Sequence, residues 1–269
     1  MSEEQRTVSW FSCGAASAVA TKLAISEGRP VTVAYCEVIE EHPDNARFLK
    51  DCEEWFGQEI IILGNDKYNR SIYEVFEKTR YLSGPAGARC TGELKKRVRE
   101  DFERQDDLHV FGYTVEEQNR VDRFIDANAQ VDIWPILIEK GLTKADCLGM
   151  IENAGIELPA MYKLGYKNNN CVGCVKASSP KYWRLVEQTH PERFKQMNEM
   201  EKHLGRSVCK IDMKTVKKKY PQNYSKEDAY WRPQLHDLPK DIIAMDDSID
   251  IQCGIFCHMA EQDIDGGKS

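Results

Sequence analysis

The spacing of apolar and polar positions changes repeatedly along the chain, and the changes mark its elements. Thr7–Phe11 is a short β-prone run that stops at a loop of small residues. Over Ser17–Glu27 the residues Val19, Leu23 and Ala24 share one face, which predicts a helix followed by Gly28. Val31–Val38 is rich in β-branched residues and predicts a second strand. Pro43–Phe56 predicts a helix with Pro43 in its first turn and Gly57 beyond its last. Glu59–Leu63 reads as a third strand, and Tyr81–Arg89 as irregular. A helix over Gly92–Arg104, a strand over Leu108–Gly112, a helix over Val115–Ala127 and a short strand over Val131–Ile133 follow. Thr143–Ala154 predicts a helix with Thr143 as cap. Such alternation means βαβ units, so residues 1–158 are expected to form a doubly wound α/β domain. Its sheet would be five-stranded, mostly parallel and covered on both faces.

Residues 159–269 read differently. Lys163–Cys174 is polar, asparagine-rich and cysteine-bearing, and Pro180–His203 has a charged, helical pattern. Beyond Cys209 the periodicity fades, and Asp263–Ser269 reads as a loose tail. This part is expected to be a helical, cysteine-bearing extension that lids the ligand site.

Composition narrows the class. The chain has 269 residues and a net charge of -7, with a pI near 5.5, which argues against wholesale nucleic-acid binding but leaves room for a local basic patch. No apolar run approaches the roughly 20 residues of a membrane span, and the first residues carry no secretory signal. A cytoplasmic protein without membrane contact is the expectation. Its ten cysteines are then expected to serve ligation, catalysis and burial more than a disulfide framework.

Three stretches carry candidate chemistry. The first, WFSCGAAS at Trp10–Ser17, places small residues between a strand and a helix. Its backbone amides and the helix N-terminus suit an anion, with Ser12, Cys13, Gly14, Ala15, Ala16 and Ser17 as the cradle. The same residues would also serve a plain tight turn. The second, ARCTGELKKR at Ala88–Arg97, sets Cys90 at a helix start beside Arg89, where a thiol pKa is expected to fall. Arg89 and Lys95 are candidate phosphate ligands, as are Arg120 and Arg123 after the fourth strand, with a solvated basic surface as the alternative. The third is the pair Cys171-Val-Gly-Cys174 and Cys253-Gly-Ile-Phe-Cys257, two close pairs of the kind that build a four-thiolate site. Spacing alone leaves zinc, an iron–sulfur cluster and a redox pair open.

These motifs resemble a known family. The first loop resembles the Ser-Gly-Gly-x-Asp-Ser loop of the adenine nucleotide alpha-hydrolase (PP-loop) superfamily at Ser12, Gly14 and Ser17, and departs from it at Cys13 and Ala16. Cys90, Thr91, Leu94 and Lys95, with Arg89, resemble the Arg-x-Cys-Thr-x-x-Leu-Lys signature of the phosphoadenylyl sulfate (PAPS) reductase family and of the DNA phosphorothioation sulfurtransferase subunit. Gly112–Arg123 resembles the family's stretch after the fourth strand, and QCGIF its C-terminal Glu-Cys-Gly-Ile/Leu-His motif, departing at Gln252 and Phe256. The resemblance implies an adenine nucleotide as substrate, either a sulfonucleotide or ATP. It implies Cys90 or Cys253 as thiol nucleophile, and a [4Fe-4S] cluster on Cys171, Cys174, Cys253 and Cys257, with Cys90 as the substitute ligand. One reading is reduction of an adenylated sulfate to sulfite, resolved by a thioredoxin or glutaredoxin. A second is iron–sulfur-dependent sulfur transfer to tRNA or DNA. A third is a nucleotide-binding regulator that has lost catalysis. A homodimer is an open option.

Overall fold

The computed structural model describes residues 5–247, 251 and 254–266. Five parallel strands form the central sheet: β1 (Thr7–Phe11), β2 (Val31–Cys36), β3 (Ile61–Leu63), β4 (Leu108–Val110) and β5 (Asp132–Trp134). Their order is 3-2-1-4-5. The direction of winding reverses between β1 and β4, so the carboxyl ends of those two strands open a crevice where ligands of such sheets bind.

All five residues of β1 are buried, as befits a parallel strand covered on both faces. Phe11 joins the core on one face, under α1 (Ala15–Ser26) and α2 (Asn45–Phe56). Val8 and Trp10 point to the other face, where they meet Phe102 and Phe111. The α/β expectation and the strand positions thus hold, with ends shifted by a few residues. Pro43 lies outside α2, whose N-cap is Asp44.

Downstream come α3 (Ile72–Thr79) and α4 (residues 89–102). The latter is α-helical over Arg89–Thr91, makes a turn of π-helix over Gly92–Lys96 and resumes as α-helix over Arg97–Phe102. After α5 (Gln118–Ala127), α6 (Lys144–Asn153) starts with a full capping box between Thr143 and Asp146. The charged stretch expected as one helix is two, α7 (Pro180–Thr189) and α8 (Pro191–Leu204). The residue before a proline avoids the helical region, so His190 turns extended (φ -141°, ψ 65°) and Pro191 restarts the helix.

A second apolar core gathers α3, α7 and α8 with the Cys171–Cys174 loop around the fully buried Trp183. Glu201, itself buried, accepts the backbone N–H groups of Val208 and Leu235 at 2.6 Å each and so ties this core to the segment that follows. That segment holds α9 (Met213–Lys219) and a two-stranded pairing of Ile211–Asp212 with Tyr230–Trp231.

The expected loose tail is corrected in part: α10 (Ile255–Gly266) runs through most of it, and residues 267–269 lie outside the described residues. Cys257, Ala260 and Ile264 drop into the first core, so the end of the chain returns to the sheet domain instead of staying with the extension. No helix among the described residues is long and apolar enough to cross a membrane.

Candidate functional site

The crevice at the strand-order reversal opens into a cleft of about 900 Å³, within the range of small-molecule sites. Ser12, Gly14, Ala16 and Ser17 form its floor. Ser17 Oγ accepts from the Ser12 backbone N–H (3.0 Å) and hydroxyl (3.1 Å) and donates to Gly14 O (2.9 Å), closing the loop on itself. Gly14 is the N-cap of α1 and offers no side-chain oxygen to the first-turn amides. Ala15 N–H instead donates to the Tyr162 hydroxyl at 3.3 Å. A helix N-terminus without a capping side chain, facing a cleft, favours an anion.

The loop treats its six residues unequally. Cys13 adopts a left-handed backbone (φ 55°), uncommon for a residue with a Cβ. Its side chain therefore turns inward, fully buried, where desolvation raises the thiol pKa strongly. The side chains of Cys13 and Ala15 belong to the core, so only their backbone is left to serve the anion cradle. Gly112, at the end of β4, lies close against the helix start: a Cβ there would meet Ser17 N at 2.5 Å.

Seven cations line the cleft, Lys95, Lys96, Arg99, Arg120, Arg123, Lys144 and Lys176, against one carboxylate, Glu117. In a chain of net charge -7 this is a concentrated positive field. The expected ligands Lys95, Arg120 and Arg123 are all present. Arg120 pairs with Glu117 at 2.5 Å and lies over the Tyr113 ring. Arg89 is not part of the cleft wall; it is exposed and pairs with Glu93 at 2.8 Å. Phe111, Tyr113, Phe124 and Trp10 give the cleft an aromatic side, suited to a planar base.

Lys95 reaches inward to Glu41 at 2.7 Å. Burial is the largest influence and opposes its charge, but Glu41, Cys171 and Cys36 together outweigh it and hold the amine protonated. Glu41 also accepts from Tyr35 Oη (2.7 Å) and Asn45 Nδ2 (2.9 Å). Asn45 Oδ1 accepts from Asn169 Nδ2 (2.8 Å), which also donates to Cys13 O (2.6 Å). One buried polar chain thus joins the anion loop, Lys95 and the asparagine-rich segment. Asn168, Asn169 and Asn170 line the cleft, so the extension does supply one wall.

Several site residues escaped sequence reasoning. Tyr162 and Lys144 are the main ones, with Lys176 and Cys36 beside them. The Lys144 ammonium donates to Lys167 O and Asn168 Oδ1 and sits 5.7 Å from the Tyr162 ring centroid. Burial, then Lys167, lower its pKa to about 8. The protonated form prevails below that value and is lost as pH rises through it. Anion affinity of the cleft should therefore weaken as pH rises above 8, and Lys144→Met should remove that step. Titrations with AMP between neutral and alkaline pH test this; an identical profile in the variant would discard Lys144 as the group responsible.

Cys90, Cys171 and Cys174 are reduced, half-buried and packed against the same core. The charges of Cys174 and Cys90 are felt at Cys171, and that of Cys174 at Cys90, so the three lie within electrostatic reach of one another. The Cys171–Cys174 loop turns at Gly173 (φ 78°), which rests on the Trp183 ring, and Cys174 N–H donates to Tyr182 Oη at 2.8 Å. The expected depression of the Cys90 pKa is not found: burial, with Cys174 nearby, pushes it up to about 11.

Cys257 is in a disulfide and packs in the first core under α1 and α6. It is separate from the other three and is withdrawn as their fellow ligand. Cys253, expected both as nucleophile and as ligand, lies outside the described residues. Among the described residues no three His, Cys, Asp or Glu side chains close tightly enough to hold a single metal ion. No family model, curated protein or solved structure matches the chain.

Proposed function

We propose that this chain is an adenine-nucleotide-binding enzyme of sulfur chemistry, with PP-loop character at Ser12–Ser17. The observation that carries the reading is the meeting of two features. The anion loop and seven cations form one cleft, and the charge of Lys95, on the wall of that cleft, is felt at Cys171. In this reading the α1 amides, Lys95 and Lys144 hold phosphates, and the aromatic side takes the base.

Of the two chemistries, sulfur transfer with ATP or a related nucleotide fits better than reduction of an adenylated sulfate. Cys90, Cys171 and Cys174 would hold a [4Fe-4S] cluster, which when bound supplies a carrier for sulfur. Lys95 and Lys176, both near these thiols and both on the cleft wall, would balance thiolate charge and draw the nucleotide towards them. The reductase reading needs an accessible nucleophile. Cys90 is a poor one, being half-buried with its thiol pKa pushed up to about 11, since the thiolate is the reactive form. The QCGIF motif keeps that reading as the second.

Anaerobic purification with iron and sulfide analysis is the direct test. The wild-type protein should be brown, and Cys171→Ser and Cys90→Ser should each lose most of the iron while keeping the wild-type circular dichroism. A colourless wild-type protein, or a variant with full iron, would refute the three-thiol assignment.

A further inference from the structure

Charge is distributed very unevenly along this chain. Residues 206–240 carry nine lysines and arginines against four carboxylates, a net of +5 within a chain of -7. Most cations of the sheet domain are ion-paired, as Arg6, Arg47, Arg70 and Lys140 show. None of the nine in this segment has an ion pair among the described residues. Two of its carboxylates are already engaged. Asp212 caps α9 through Thr215 N–H at 2.9 Å, and Asp237 lies 3.4 Å from His236.

The placement of these cations follows from the fold. In α9, Val216 and the following Tyr220 bury against Ile211. Lys214, Lys217 and Lys218, at helical spacings of three and four, then share an exposed face, with Lys219 beside them. Lys217 Nζ stands 5.5 Å from the Tyr224 ring centroid. Tyr230 is 47% exposed. Next to the helix lies a second cavity of about 540 Å³, walled by Tyr220 and Trp231 and edged by Gln222, Asn223, Gln234, Arg232 and one carboxylate, Asp237. Aromatic walls with amide side chains and an arginine can hold a nucleobase and bond its edge.

We propose that this face docks a single-stranded polynucleotide, with its phosphates along Lys214, Lys217, Lys218 and Lys219 and a base in the cavity beside Trp231. Unpaired lysines release counterions when they meet a phosphate chain, and interleaved aromatics stack bases of any sequence. The site is separate from the nucleotide cleft and does not rest on the reading given for it.

Fluorescence anisotropy on the full chain tests this with a labelled oligouridylate, the matching oligothymidylate, a duplex, and vesicles of anionic lipid as competitor. A single strand should bind with strong salt dependence, and preference for the ribo or deoxy strand would identify the sugar. Lys217→Glu/Lys218→Glu/Lys219→Glu, all exposed, should weaken binding by about 100-fold or more and flatten the salt slope by about 3. Trp231→Ala should weaken it by about 10-fold without changing that slope. The exposed Gln222→Ala serves the same purpose if the tryptophan variant misfolds. AMP binding at the cleft, measured in parallel, should be unchanged in every variant. No binding of any oligonucleotide at low salt, equal affinity of the triple variant, duplex binding indifferent to the cavity variants, or binding to vesicles alone would each overturn the proposal.

Discussion

Gly112→Val should abolish measurable nucleotide binding and lower the melting temperature, and Gly112→Ala should do both to a lesser degree. The reason is contact with backbone, which no rotamer change relieves. A Cβ at residue 112 would lie 2.5 Å from Ser17 N, 2.7 Å from Ser17 Cα and 2.8 Å from Ala16 C. One methyl group forces β4 and the start of α1 apart, an overpacking cost of about 1–3 kcal/mol. The second loss is functional. The amides proposed to hold phosphate are those of the displaced turn, and a shift of about an ångström in such a site costs on the order of 100-fold. Gly92→Ala is the control, because nothing lies within 4 Å of its Cβ position and the exchange should favour helix by about 1 kcal/mol. Calorimetric titration with AMP and a thermal melt on each protein measure both effects. A Gly112→Ala protein that melts and binds as the wild type does would show that the strand–helix junction is not the rigid seat described above.

The Gly112 contact also marks the limit of what the sequence could show. Local signals were legible. Thr7–Phe11 matches its strand to the residue, the small residues after it mark the turn, and Thr143 marks a cap. Which way each side chain points around that turn was not legible. Cys13 leaves the cleft because its φ is positive, a backbone choice that no spacing encodes. Tyr162 and Asn169 reach the loop from 147 and 156 residues away, and only tertiary packing makes them neighbours. Two misses did carry a signal. His190-Pro191 should have split the long charged helix. Cys257, Ala260 and Ile264, at spacings of three and four, already trace the apolar stripe of the terminal helix. The cysteine spacings show a different limit: Cys253-Gly-Ile-Phe-Cys257 looks much like Cys171-Val-Gly-Cys174 in sequence, yet Cys257 packs in the first core while Cys171 and Cys174 pack against the second.

Lys95→Met separates the structural and ligand-binding roles of one side chain. It should weaken AMP or ATP binding by about 10- to 100-fold, the worth of a charge-assisted hydrogen bond to phosphate. It should also destabilise the fold, because Glu41, only 3% exposed at its side chain, loses the cation 2.7 Å away. Breaking a fully buried pair costs about 3–5 kcal/mol. Here the lysine side chain is 36% exposed, and the carboxylate keeps Tyr35 and Asn45 as donors, so about 1–3 kcal/mol is the expected loss. Adding Glu41→Gln removes the stranded charge, and the double variant should regain part of the melting temperature while its nucleotide affinity stays low. That split is what a double-mutant cycle detects, since the two positions are coupled in stability but only one touches ligand. Should the double variant bind nucleotide like the wild type, Lys95 is a structural partner of Glu41 alone, and the phosphate must be held by the α1 amides and Lys144 without it. Should Lys95→Met leave the melting temperature unmoved, the polar chain from Lys95 through Glu41 and Asn45 to Asn169 does not hold the cleft together, and the asparagine-rich wall must be fixed by the packing around Trp183 instead.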